Sequence, residues 1–293
     1  MLIETLSTFP HMYDSVMGES MMKRAQEKGI LEFRAHDLRD WTHDRHRTTD
    51  DDPYGGGAGL VMKCEPIFEA VEAILGKEFV EAKLASAMGE AAPGGLASSS
   101  TMVEFGGDAG CPDRASSAAP QTVFLAPQGR PFDDAYADKL AAADHLLFIC
   151  GHYEGIDERV YALADHVISL GDYVLTSGEL ASMVVIDAAV RKLPGVLGAA
   201  DGPVDESFTS GLLEYPQYTR PADFRGMRVP EVLTSGNHAA IARWRREQSL
   251  ARTAAARPDL IAAAEAADLL TPADQKFLKL LEPAPTGAAE GVS

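Results

Sequence analysis

The sequence predicts an α/β protein with a parallel sheet, and three observations carry that expectation. Thr122-Val-Phe-Leu-Ala126 and His145-Leu-Leu-Phe-Ile-Cys150 are continuous apolar runs bounded by Pro or Gly, the pattern of strands covered on both faces. The Ala-rich stretch from Asp133 to Ala143 lies between them and reads as a helix, which gives the strand–helix–strand order of a parallel crossover. The same order opens the sequence. Leu2 to Thr8 reads as a strand and residues 11–28 as one helix ending at Gly29. Leu31, Phe33 and Ala35 then alternate with Glu32, Arg34 and His36, as in a half-buried strand.

The remaining elements follow from local signals. A polar, glycine-rich loop fills 40–59, and Glu65 to Leu75 reads as a helix. Residues 86–120 are rich in Ala, Gly, Ser and Pro, as in Ala91-Ala-Pro-Gly-Gly-Leu-Ala-Ser-Ser-Ser100. So little apolar surface cannot offset the entropy of ordering it, and the segment reads as a low-complexity insertion. The chain becomes helical and basic from about Asn237, where Arg243, Arg245, Arg246, Arg252 and Arg257 are opposed only by Glu247. Arg257-Pro258 interrupts that helix. A last helix starts at Thr271-Pro-Ala-Asp274, with Thr as the cap and Pro at the first helical position. The expected organisation is a first domain over 1–197, a linker over 198–205, and a small helical domain over 206–293. No internal repeat is evident.

Composition excludes several classes. The 293 residues carry 26 Lys+Arg against 44 Asp+Glu, a formal net charge of −18, which argues against coating nucleic acid or anionic membrane by bulk attraction. A 46% hydrophobic fraction supports a sizeable core. Met1-Leu2-Ile3-Glu4 meets an acid before a secretory apolar stretch can form, and no run approaches 18 apolar residues, so no membrane association is expected. Cys64, Cys111 and Cys150 lack metal-binding spacing and read as reduced thiols of a cytoplasmic protein.

Three glycine-containing loops fall at the C-terminal ends of expected strands, where open α/β sheets hold their ligands. They are Leu125-Ala-Pro-Gln-Gly-Arg130, Gly151-His-Tyr-Glu-Gly-Ile-Asp-Glu-Arg159 and Ser169-Leu-Gly-Asp-Tyr-Val-Leu-Thr-Ser-Gly-Glu179. Glycines let the backbone approach a ligand closely and offer its N–H and C=O groups. None of the three matches a dinucleotide-binding or P-loop glycine pattern. Each alone is an ordinary turn; three in succession favour a small-molecule pocket.

Longer motifs then occur in fixed order. They are Thr42-His-Asp-Arg-His-Arg-Thr-Thr-Asp-Asp51, Pro53-Tyr-Gly-Gly-Gly-Ala-Gly59, Gly155-Ile-Asp-Glu-Arg159, Gly171-Asp-Tyr-Val-Leu175, Pro194-Gly-Val-Leu-Gly198, Tyr218-Thr-Arg-Pro221 and Ser235-Gly-Asn-His238. In this the sequence resembles the bacterial tRNA (guanine-N1)-methyltransferase family, which modifies guanosine 37 beside the anticodon. The resemblance spans nearly the whole chain except 86–120 and the last ten or so residues. It implies a trefoil-knotted parallel-sheet methyltransferase domain followed by a small helical domain, an exception to the rule that chains do not thread loops. It also implies a homodimer with active sites at the subunit interface, and S-adenosyl-L-methionine held largely by backbone groups. Carried over, the covering loop is Phe124, Leu125, Pro127 and Gln128, and the floor is Gly151, Tyr153 and Gly155. The wall is Ser169, Leu170, Gly171, Asp172, Tyr173, Val174, Leu175 and Gly178, with Ser177 where the family often has a second glycine.

Methyl transfer to guanine N1 needs a base for the N1 proton and a cation for charge growing on O6. Arg191 matches the family's catalytic arginine; read alone, it is a helix-end arginine favouring the dipole. The family commonly places Asp before Ser-Phe, where this sequence has Glu206, with Asp205 one residue earlier; Glu206 is the expected base and Asp205 its reserve. For the tRNA anticodon arm the resemblance implicates Arg45, Arg47, Asp50, Tyr54 and Gly57 in the first loop, and Tyr218, Arg220 and Arg243 later. Aromatic and arginine side chains suit an extruded base. Mg²⁺ dependence is a family expectation without an identifiable ligand cluster. A non-catalytic RNA-binding or ribosome-assembly factor on the same fold is the alternative, encouraged only by Glu206.

Overall fold

A computed structural model describes residues 1–89, 119–197 and 206–281. The expected linker 198–205, with Asp205, lies outside the described residues, as do residues 90–118 of the expected insertion. The chain divides into two units, Met1–Gly202 and Pro203–Ser293.

The first unit is built on five parallel strands: β1 (Leu2–Ser7), β2 (Glu32–Asp37), β3 (Gln121–Pro131), β4 (His145–Ile149) and β5 (His166–Ser169). Their spatial order is β2-β1-β4-β3-β5. The apolar runs are strands because both faces are covered. On β4, Leu146 and Phe148 join one core with Ile3, Tyr13, Val185 and Ile186, while Leu147 and Ile149 join the other with Leu6, Ile67 and Val71. The first face is covered by α1 (Ser20–Glu27), α4 (Asp134–Ala141) and α5 (Gly178–Val190). The second is covered by α2 (Cys64–Leu75) and α3 (Lys77–Gly89). Each side chain of Leu or Phe size buried this way contributes about 1.5–3 kcal/mol.

Three expectations are corrected. The single helix over 11–28 is three pieces, Pro10–Tyr13, Asp14–Met17 and α1, because Glu19 is extended after Gly18. Gly29 still ends the last piece at φ +66°. The helix α3 runs to Gly89, past the expected start of the insertion at 86. Ala35 is exposed, because β2 is the edge strand and only part of that face is covered.

The second unit is small and mostly helical. It holds α6 (His238–Ala256), α7 (Pro258–Ala266) and α8 (Pro272–Leu281) around Leu212, Leu250, Ala264 and Leu270. Asn237 caps α6 through the Ala240 N–H at 3.1 Å. Pro258 starts a new helix at its first position, as its missing N–H dictates. Thr271 and Asp274 exchange hydrogen bonds at the start of α8, at 3.2 and 2.9 Å. The basic helix is better neutralised than its own sequence suggests. Arg246 grips Asp274 with two bonds of 3.1 and 2.9 Å, and Arg257 pairs with Asp259. Those acids come from the next helices, so the pattern within α6 could not reveal them.

Candidate active site

Because β4, β3 and β5 are parallel neighbours, their C-terminal loops emerge side by side, and there they enclose a cavity of about 320 Å³. That lies at the lower end of the size range of small-molecule sites. The first loop is a bulge: pairing of β3 with β5 jumps from Leu125 to Arg130, so Ala126–Gln128 leave the sheet and face the cavity. Gly129 makes this possible, since a Cβ there would meet the Ile168 backbone nitrogen at 2.5 Å.

The floor is the loop after β4. Its backbone is held by Leu60–Met62: the Glu154 N–H donates to the Leu60 carbonyl at 3.1 Å, and the Met62 N–H donates to Gly155 at 3.0 Å. Tyr153 adopts a left-handed φ of +59°, a conformation maintained by those flanking bonds. The wall is Ser169–Ser177 after β5, and the N-terminus of α5 closes it. The Gly178 N–H donates to the Gly151 carbonyl at 2.8 Å, and a Cβ on Gly178 would sit 2.7 Å from the Gly151 nitrogen.

Behind the floor lies a buried polar network that the sequence reading missed. Glu179 is fully buried and accepts a short hydrogen bond from the Ser7 hydroxyl. His152 Nε2 lies 2.9 Å from Glu179 Oε2, close enough for an ion pair although too poorly aligned for a good hydrogen bond. Tyr13 continues the network to Ser182 at 2.7 Å and Cys150 at 3.1 Å. Burial, and then the charge of Glu179, pushes the Cys150 thiol up to about 12, so it is an inert core group. The available signal was Glu179 itself, an acid in the first turn of a mostly apolar helix.

The cavity brings together thirteen expected cofactor residues: Leu125, Pro127, Gln128, Gly151, Tyr153, Gly155, Ser169, Leu170, Gly171, Tyr173, Val174, Leu175 and Gly178. Phe124 and Asp172 are not among its lining. Phe124 is fully buried in the second core, 5.1 Å from the Tyr161 ring, because strand alternation turns it away from the loop. Asp172 is exposed at the turn of the wall. The structure adds His152, Glu154, Glu158 and Tyr161 to the lining. No Lys or Arg lines the cavity among the described residues, and Ser177 presents there a buried hydroxyl without a hydrogen-bond partner. Two carboxylates, exposed backbone groups and one unpartnered hydroxyl suit a small cationic molecule with polar edges.

A second cavity, of about 1130 Å³, adjoins the first through Ile156 and Glu158 and is walled by loop 41–54, including His43, Asp51 and Tyr54. Asp50 pairs with Met62 across a two-residue antiparallel ladder, and its charge helps raise the Tyr153 hydroxyl, after burial.

The sequence matches the family model described as tRNA (Guanine-1)-methyltransferase TrmD over residues 1–104 and 92–263. The chain belongs to this family. Curated relatives agree. A tRNA (guanine-N(1)-)-methyltransferase of Symbiobacterium thermophilum is 48% identical over 279 residues, covering 95% of this chain and 97% of the relative. Those of Limosilactobacillus reuteri and Geobacillus kaustophilus are 48% and 47% identical, covering 90% and 89% of this chain and 91% of each relative.

The other residues expected from the tRNA (guanine-1)-methyltransferase family stand elsewhere. Arg191 closes the C-terminus of α5, half-buried, and does not line the cavity. The helix spans 13 residues, so its two ends are about 20 Å apart. Glu206 is half-buried at the start of the described second unit. Arg45 is exposed, Arg47 pairs with Asp40, and Tyr54 and Gly57 are exposed in the loop. Tyr218 and Arg220 line a separate cavity of the second unit, and Arg243 pairs with Glu247 at 2.8 Å. Among the described residues no group of three His, Cys, Asp or Glu could hold a metal ion. No helix among them is long and apolar enough to cross a membrane.

Proposed function

We propose that this chain transfers the methyl group of S-adenosyl-L-methionine to N1 of guanosine 37 in tRNA. The observation that carries the reading is the family match, which covers every loop lining the cavity at the strand ends. The cofactor supplies an electrophilic methyl carbon on a cationic sulfur. The bulge 126–128, the floor 151–155 and the wall 169–178 hold it, with Glu154 and Glu158 favouring its positive charge and Ser177 offering a hydroxyl.

Glu206 accepts the guanine N1 proton, with Asp205 as reserve. N1 then bonds to the methyl carbon while the electron pair of the broken C–S bond stays on sulfur, giving S-adenosylhomocysteine. Arg191 neutralises charge gathering on O6. Loop 42–59 and the second unit, with Arg45, Arg47, Asp50, Tyr218, Arg220 and Arg243, hold the anticodon arm.

Two features support a homodimer whose sites combine both copies. Arg191 is a helix length away from Gly178 in its own chain. Beside the cavity, Tyr173, Val174, Leu180 and Val184, all within twelve residues of the sequence, expose apolar side chains, Val174 at 86%. The trefoil knot and the cytoplasmic location belong to the same reading.

The residue assignment has a direct test. Glu206→Gln lowers single-turnover methyl transfer by about 100-fold or more, the usual weight of a positioned base, and leaves the cofactor dissociation constant unchanged. Rates near wild type contradict Glu206 as the base; loss in Asp205→Asn instead assigns the role to Asp205.

A further inference from the structure

The reaction above assigns no task to Glu179, although three segments around the cavity meet on its buried carboxylate. Ser7, the last residue of β1, donates its hydroxyl to Oε1 and accepts the Phe9 N–H at 2.8 Å. Glu179 itself stands in the first turn of α5, where its carbonyl accepts the Ser182 hydroxyl at 2.8 Å. From the loop after β4, His152 brings Nε2 to 2.9 Å from Oε2.

The arrangement does little for stability. His152 Nε2 and Glu179 Oε2 are both buried, and neither has a well-aligned hydrogen-bond partner. Taking a carboxylate out of water is costly, and a pair this misaligned offsets little of it. Removing one partner strands the others, yet apolar residues throughout would serve the fold as well. Buried polar atoms left this way call for a reason other than packing.

His152 supplies that reason, because it lines the cavity and Glu179 does not. Its backbone N–H donates to Met62 Sδ at 3.1 Å, and its ring centre lies 4.8 Å from that of Phe9. The next residue is Tyr153, held at a φ of +59°. A left-handed residue other than glycine persists only where its surroundings over-determine it. Glu179 and Phe9 fix the ring directly before that residue, and Ser7 ties the two together.

We propose that Glu179 is a positioning residue for the cofactor: through His152 it holds the floor 151–155 in the shape that receives the ligand, without touching the ligand itself. The assignment rests on the cofactor site proposed above. An effect of shape does not depend on ligand charge. S-adenosyl-L-methionine and S-adenosylhomocysteine differ by one methyl group and one positive charge, so a displaced floor weakens both alike.

Glu179→Gln tests this in the full-length protein, since it keeps the volume and an oxygen for the Ser7 hydroxyl. Urea unfolding and circular dichroism check the fold. In calorimetric titrations the dissociation constants of both ligands rise about tenfold, the weight of one charge-assisted contact. In a His152→Gln background the same substitution adds no further loss, because its route is already gone. Glu179→Asp, whose shorter arm draws the carboxylate back from His152, gives a loss of the same sign and serves if the Gln variant unfolds. Loss confined to S-adenosyl-L-methionine overturns the proposal and marks direct attraction by the buried charge. So do additive losses in the double variant, or a drop in stability with both affinities unchanged. A wild-type protein that binds neither ligand defeats the cofactor reading itself. Wild-type binding that Glu179→Gln leaves unchanged defeats only this inference.

Discussion

At the residue scale, function depends on groups whose neighbours leave them no freedom. Gly178 is the clearest case, since any side chain there meets the backbone of Gly151 at 2.7 Å. Gly178→Ala therefore forces floor and α5 apart, costs about 1–3 kcal/mol by overpacking, and weakens cofactor binding in a calorimetric titration. Unchanged affinity and stability would show that the floor can relax. Glu179 acts beneath the same floor. Glu179→Ala leaves the Ser7 hydroxyl without its acceptor and His152 without its carboxylate, and costs about 1–3 kcal/mol in urea unfolding. A neutral outcome would mean that water replaces the carboxylate. The glycine loops were legible because their composition is local. The Ser7–Glu179–His152 contacts were not, because they join residues up to 172 positions apart.

At the element scale, the strands were legible where apolar runs were long, and β4 agrees with its apolar run to within one residue. β3 was underestimated, because Arg130 and Pro131 rejoin β5 after the bulge and only the fold reveals that pairing. The broken helix at 10–27 was missed for a related reason: apolar spacing continues through Gly18 although the backbone does not. β5 carries a titration consequence at its first residue. His166 is buried, with Tyr136 at 2.9 Å and Gln121 at 2.8 Å, and burial, then the charge of Lys139, lowers its pKa to about 4. The folded state thus keeps the ring neutral. Its contribution is intact above the ordinary value of about 6.5, and is lost as pH falls from there through about 4, a change of up to about 3 kcal/mol. Urea unfolding at pH 7 and pH 4.5 should show a smaller loss for His166→Gln than for the wild type. Equal losses would place the titration elsewhere.

At the scale of the whole molecule, the net charge of −18 and an RNA substrate are reconciled by where the cations are. Much of the negative charge belongs to the first unit, whose cavity suits a cationic cofactor; of the arginines at 220–246, Arg228, Arg243 and Arg246 pair with Asp223, Glu247 and Asp274, so few cations are available for phosphates. Binding of tRNA then rests on few phosphate contacts. With about four, log Kd against log salt has a slope of magnitude about 3, measurable by filter binding. A slope near zero would contradict electrostatic holding by these clusters. Sequence motifs made the family legible across the chain, whereas the separation of Arg191 from Gly178 by a whole helix length is visible only in the fold. The account's central claim is tested most directly with labelled S-adenosyl-L-methionine and two tRNA transcripts, one with guanosine at 37 and one with adenosine there. It predicts label recovered as N1-methylguanosine from the first transcript alone. No transfer to either, or equal transfer to both, would contradict it.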